Sequence, residues 1–165
     1  MSSGRGSFER LADIKERIEN LIEDLGGDPS LMLSSRIHGM GALYYLHTLG
    51  EACTALPEEL RNRYPEISWR GWKHFRNLTS HQYWATDLDL ASEQMKAGLP
   101  KLVRMVAQEL PIAALAVQVD PKSPGINWLL VNVGEQPQDE LELENWWKAQ
   151  RLNIEARLKG FSTLP

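Results

Sequence analysis

The chain has 165 residues, 42% hydrophobic and 24% charged, which is ordinary composition for a water-soluble folded domain long enough to bury a core. The net charge of −4 gives no general affinity for nucleic acid, and no apolar run approaches the roughly 18–20 residues needed to cross a bilayer. The single cysteine, Cys53, excludes an intrachain disulfide and a cysteine-rich metal site.

The opening "MSSGRGS" lacks the apolar centre of a signal sequence, so residues 1–6 read as a flexible leader and a cytoplasmic location is expected. Ser7 then caps a first helix in which Leu11, Ile14, Ile18, Leu21, Ile22 and Leu25 recur at helical spacing, until Gly26-Gly27 stops it. Asp28-Pro29 restarts a second helix carrying Leu33, Ile37, Met40, Leu43, Tyr44 and Leu49, which ends near Leu56-Pro57. Its apolar residues face more than one way, as in the inner helices of bundles. "PEELRNRYPE" is a short linker, at most one or two helical turns. Ser68 caps a third helix with Trp72 and Phe75 inward, and Asp87 caps a fourth whose stripe runs Leu88, Ala91, Met95, Leu99, Leu102, Val106, Leu110. Pro100 is expected to kink that helix or end its first half. Four antiparallel helices with short links predict an all-α, up-and-down four-helix bundle over residues 7–110.

Residues 111–165 form a C-terminal extension. Within it "IAALAVQV" and "INWLLVNV" flank "DPKSPG" and predict a short β-hairpin. A last helix follows from about Asp139 to Lys159, opened by a capping-box-like Asp139 and Glu142 and stopped at Gly160.

Charge is unevenly spread. Residues 61–81 hold five bases (Arg61, Arg63, Arg70, Lys73, Arg76) and one acid, Glu66, whereas residues 134–145 hold five acids and no base. Two solvated faces of opposite sign explain this, and so does a basic patch for phosphates.

The basic stretch ends in "WKHFRNLTSHQYW", where Arg76, His81 and Tyr83 crowd together. On an unbroken helix five positions turn His81 roughly 140° from Arg76, so the two cannot converge on one small site. Asn77, Thr79 and Ser80 prefer caps and turns, and the helix is expected to end or unwind at "NLTS". Histidine exchanges protons near neutrality, and the arginine fork matches phosphate oxygens. Together they suit attack of an RNA ribose hydroxyl on the adjacent phosphodiester. That reaction calls for no metal or cofactor, and the sequence offers no ligand cluster at metal spacing. It does need a base and an acid on opposite sides of phosphorus. One motif supplies one histidine, which points to a two-fold dimer. Tyr83 fits a hydrogen-bond donor. Glu51, in a mostly apolar part of the second helix, either pairs with Arg76 in a supporting role or is simply exposed at the surface. His38 and His47 suit packing or surface roles, as does His74, although His74 joins Arg70 and Lys73 as a candidate RNA contact. Trp69, Trp72 and Trp84 suit the core better than a base-stacking platform.

"RNLTSHQY" fits R-x-x-x-x-H-x-Y, and around it "GEA", "PEISW" and a late "LP" fall in a set order. Over residues 31–110 the sequence resembles HEPN-domain proteins of the HepT type, the toxin halves of HepT–MntA toxin–antitoxin pairs. The resemblance implies a dimer of helical bundles acting as a metal-independent endoribonuclease with the motif at the dimer cleft. Arg76 would bind phosphate and stabilise the transition state, His81 would be the general acid/base, and Asn77 would orient substrate. Tyr83 would accept AMP from a cognate MntA-like nucleotidyltransferase antitoxin, placing an anionic group beside the site. Two other readings stand beside this one: a HEPN module that binds nucleotide or RNA without cutting it, and a structural dimeric interaction partner.

Overall fold

The computed structural model describes residues 4–25, 28–81, 87–123 and 137–161, with side chains except at 81 and 153–161. Among the described residues six α-helices occur in this order: α1 (Ser7–Asp24), α2 (Arg36–Thr54), α3 (Glu58–Asn62), α4 (Trp69–His81), α5 (Leu88–Ala116) and α6 (Glu140–Phe161). α1, α2, α4 and α5 form the bundle, and α6 packs on α1 and α5. The core is built from the predicted stripes of α1 and α5: Leu11, Ile14, Ile18, Leu21 and Ile22 of α1 meet Leu46 and Leu49 of α2 and Met95, Leu99, Leu102 and Val106 of α5, all fully buried. Of the apolar residues expected on the second helix, by contrast, Leu33, Ile37, Met40 and Tyr44 are exposed and only Leu43 and Leu49 are buried. Each such side chain contributes about 1.5–3 kcal/mol, and this burial rather than local propensity holds the helices.

Three expected caps are present; the cap expected at Ser7 is not, since Ser7 is the first residue of α1 and Gly6 stands at the N-cap. Ser68 Oγ accepts from Gly71 N at 3.3 Å, and Asp87 Oδ1 from Asp89 N and Leu90 N at 2.9 and 3.2 Å. Asp139 Oδ1 accepts from Glu142 N at 2.8 Å, while Glu142 Oε2 accepts from Gln138 N at 2.6 Å, a reciprocal box one residue offset.

Four further expectations need correction. The second helix is split: Pro29–Leu33 forms a 3₁₀ segment capped by Asp28, and α2 starts afresh at Arg36. Ser35 breaks the run by accepting His38 N on its own side chain at 3.2 Å. α5 does not end at Pro100 or at Pro111. An interior proline costs about 3 kcal/mol, but Leu99, Leu102, Val103, Met105 and Val106 are fully buried around Pro100 and outweigh it. Residues 112–116 of the first predicted strand are the last turn of α5, as their alanine content favours. The second, 126–133, lies outside the described residues.

The fourth correction bears on the site. α4 is helical through "NLTS" to His81. Thr79 and Ser80 are accommodated by donating their hydroxyls back up the helix: Thr79 Oγ1 lies 3.0 Å from both Phe75 O and Arg76 O, and Ser80 Oγ 2.9 Å from Arg76 O.

The start of α4 is tied to α5 through the preceding linker. Arg63 donates to both carboxylate oxygens of buried Glu109, at 3.1 and 2.6 Å, and Tyr64 Oη donates to Glu109 Oε1 at 2.8 Å. Burial first, and then the Glu109 hydrogen bond, push the Tyr64 phenol well above its ordinary range, so it stays a donor. Trp72 (1% exposed) and Phe75 (6%) then seat α4 on the core.

α2 and α4 touch most closely at Gly50, where an added Cβ would lie 2.7 Å from Arg76 Cβ and 2.8 Å from Trp72 O. Gly50→Ala should destabilise the fold by about 1–3 kcal/mol in urea unfolding, since a backbone oxygen must move. Gly41→Ala, on the same helix but with nothing within 4 Å of the added atom, should be neutral or stabilise by about 0.5–1 kcal/mol. Cys53 is fully buried, which pushes its thiol from 9.0 up to about 12. A thiol reagent such as dithionitrobenzoate should therefore label it only on unfolding.

Candidate active site on helices α2 and α4

Two rungs join α2 to α4 beside Gly50. In the first, Arg76 Nε donates to Glu51 Oε1. Arg76 Nη1 also donates to Asn77 Oδ1 at 3.2 Å. The ion pair anticipated from the sequence is thus formed, and it fixes the plane of the guanidinium. With 37% of its side chain exposed, Arg76 still offers N–H groups to solvent. In the second rung, His47 Nδ1 lies 2.9 Å from Thr79 Oγ1. His47 and Glu51 are four apart on α2, about 6 Å along one face. Their partners Thr79 and Arg76 run the opposite way along α4, so the two helices are antiparallel here.

An open cleft of 670 Å³ lies on this face, lined by Met40, Leu43, Tyr44, His47, Thr79 and Ser80. Two of its residues, Met40 and Tyr44, belong to an exposed apolar row on α2 that begins with Ile37; Ile37 is 84% and Tyr44 65% exposed.

Because α4 is unbroken, register decides what shares a face. Counting round the helix from Thr79, Arg76 comes at roughly 60°, Ser80 at 100°, Asn77 at 160° and position 81 at 200°. Position 81 falls in line with Asn77, His74 and Arg70, and Arg70, Lys73, His74 and Asn77 are all exposed. The candidate RNA contacts therefore form one row with the motif histidine, and Arg76 flanks that row. The His81 side chain and all of Tyr83 and Trp84 lie outside the described residues. His47 is the residue that sequence reasoning passed over; the one available signal was its i−4 spacing from Glu51. Among the described residues no helix is long and apolar enough to cross a membrane.

A helical bundle whose sequence carries R-x-x-x-x-H-x-Y is the HEPN class. Within that class the chain belongs to the HepT-like ribonuclease family: the family model described as "Ribonuclease HepT-like" matches residues 11–109. A Methanocaldococcus jannaschii protein named "Gamma-glutamylcyclotransferase and putative RNase" is 32% identical over 94 residues, 56% of this chain and 42% of that relative. The chain thus spans less than half of that protein's length. A "Probable ribonuclease HepT" from Thermococcus cleftensis is 28% identical over 100 residues, 59% of this chain and 90% of the relative. No solved structure matches the chain.

The Glu51–Arg76 pair is half-exposed, and pairs of that kind contribute at most about 1 kcal/mol. Glu51→Gln should accordingly leave urea stability within about 1 kcal/mol of the parent. A loss above 2 kcal/mol would show that the pair holds the fold rather than the arginine.

Proposed function

We propose that this chain is the toxin of a type VII-like toxin–antitoxin pair, a metal-independent endoribonuclease that works in the cytoplasm as a homodimer. The observation that carries the proposal is the oriented, half-exposed Arg76 beside a row of cationic and polar residues that ends in the motif histidine. Arg76 binds the scissile phosphate and stabilises the charge that grows on its oxygens. Asn77, held against Arg76, orients the substrate. Arg70, Lys73 and His74 take neighbouring phosphates. The ribose 2′-oxygen attacks phosphorus and the bond to the 5′-oxygen breaks, leaving a 2′,3′-cyclic phosphate and a 5′-hydroxyl. His81 serves as general acid/base in that exchange.

The exposed apolar row Ile37, Met40 and Tyr44 borders the cleft, and a second copy is its proposed occupant, bringing two motifs together. Residues 7–110 carry the activity. In the 111–165 extension, α6 covers α1 and α5, with Trp146 and Trp147 buried. Silencing follows when an MntA-like nucleotidyltransferase antitoxin transfers AMP to Tyr83, two residues beyond His81, where the added phosphate repels RNA and the nucleotide fills the site.

Purified protein incubated with RNA in EDTA should yield cyclic-phosphate ends. Arg76→Ala and His81→Ala should each lower the rate by about 10²–10³-fold or more. Cleavage that persists in His81→Ala would contradict the assignment, and tight RNA binding without cleavage would favour a binding module. Light scattering should give a dimer. Intact mass after co-expression with the antitoxin should show AMP adducts at Tyr83, and adducts elsewhere would refute the switch.

A further inference from the structure

We propose that His47 is the general base of the ribonuclease reaction, taking the proton of the attacking 2′-hydroxyl on the phosphate held by Arg76. The inference rests on the ribonuclease reading above and deepens it. Thr79 has one hydroxyl proton, and two carbonyl oxygens, of Phe75 and Arg76, lie 3.0 Å away to receive it. Its oxygen therefore accepts from His47, so Nδ1 carries the ring proton and donates across the 2.9 Å contact. This fixes both the ring plane and the tautomer. The lone pair is left on Nε2, the nitrogen a base needs.

The placement matches the chemistry. His47 lines the open cleft and is part-exposed, so its ring is accessible to substrate. It stands one turn of α2 from Glu51, whose carboxylate holds Arg76. Thr79, which His47 contacts, is three residues and about 60° from Arg76 on α4, so a phosphate held by Arg76 has His47 beside it. In the step, the O2′–P bond forms as His47 Nε2 gains the ribose proton. The P–O5′ bond breaks as imidazolium His81 gives its proton to the leaving oxygen. The two histidines exchange protonation states and no other reactant is consumed.

The test uses full-length protein, a mixed-sequence RNA oligonucleotide pool, and the four nucleoside 3′-(4-nitrophenyl phosphates), whose nitrophenolate leaves without a proton. His47→Asn keeps an N–H where Nδ1 donates to Thr79 but has no nitrogen that can take a proton. With its melting curve unchanged, His47→Asn should cleave RNA at least about 100-fold more slowly, as should His47→Ala. Both should be equally slow on the nitrophenyl esters, whereas His81→Ala should regain most of its loss there. His47→Asn cleaving RNA within threefold of the parent would overturn the proposal and leave His47 as a brace for Thr79. Recovery of the His47 variants on the nitrophenyl esters would overturn it by making His47 the acid. Parent protein that cleaves no RNA would instead sink the ribonuclease reading itself, and this inference with it.

Discussion

The close approach of α2 and α4 at Gly50 is the constraint on which the site depends. A side chain there would meet the Trp72 carbonyl and the Arg76 Cβ at under 3 Å. Its absence lets the two backbones settle together, with Leu46, Leu49 and Trp72 buried on the core side of the contact. Only at that spacing does Glu51 reach Arg76 and His47 reach Thr79. Neither polar rung can set the distance itself, because half-exposed pairs are weak. Packing sets the distance, and the polar groups use it to fix ring and guanidinium orientation.

The unbroken α4 spreads its motif round an arc instead of gathering it at a point, so Arg76 and position 81 flank a strip rather than converge. Within one copy, Arg76 and position 81 therefore stand roughly 140° apart and do not meet on one small group.

What could be seen in the sequence was what local chemistry settles. Caps at Ser68, Asp87 and Asp139 were legible because a short polar side chain and the N–H groups it binds lie within three residues of one another. The stripes of α1 and α5 were legible because burial follows the 3.6-residue period. Glu51 could be suspected because a carboxylate in an apolar helix needs a partner. The split at Ser35 is a local cap of the same kind, missed within the apolar run, and the other differences depend on support from elsewhere in the chain. Thr79 and Ser80 look like helix breakers until their hydroxyls are returned to carbonyls and Thr79 is held by His47, 32 residues away. Residues 112–116 alternate no more convincingly as a strand than as a helix, and the long buried run of α5 decides for helix. His47 carries no motif of its own, and only the antiparallel pairing of α2 with α4 brings it to the site.

The central claim is that helix-to-helix spacing at Gly50 builds a catalytic surface and not merely a stable one. It is tested most directly by kcat/KM for RNA cleavage by Gly50→Ala, measured well below its melting temperature where the chain is fully folded. Displacing α4 by a few tenths of an ångström to an ångström should lower kcat/KM at least about tenfold, since misplacement of about 1 Å can cost 10²-fold. A fully folded Gly50→Ala protein that cleaves RNA with the parent's kcat/KM would contradict the account.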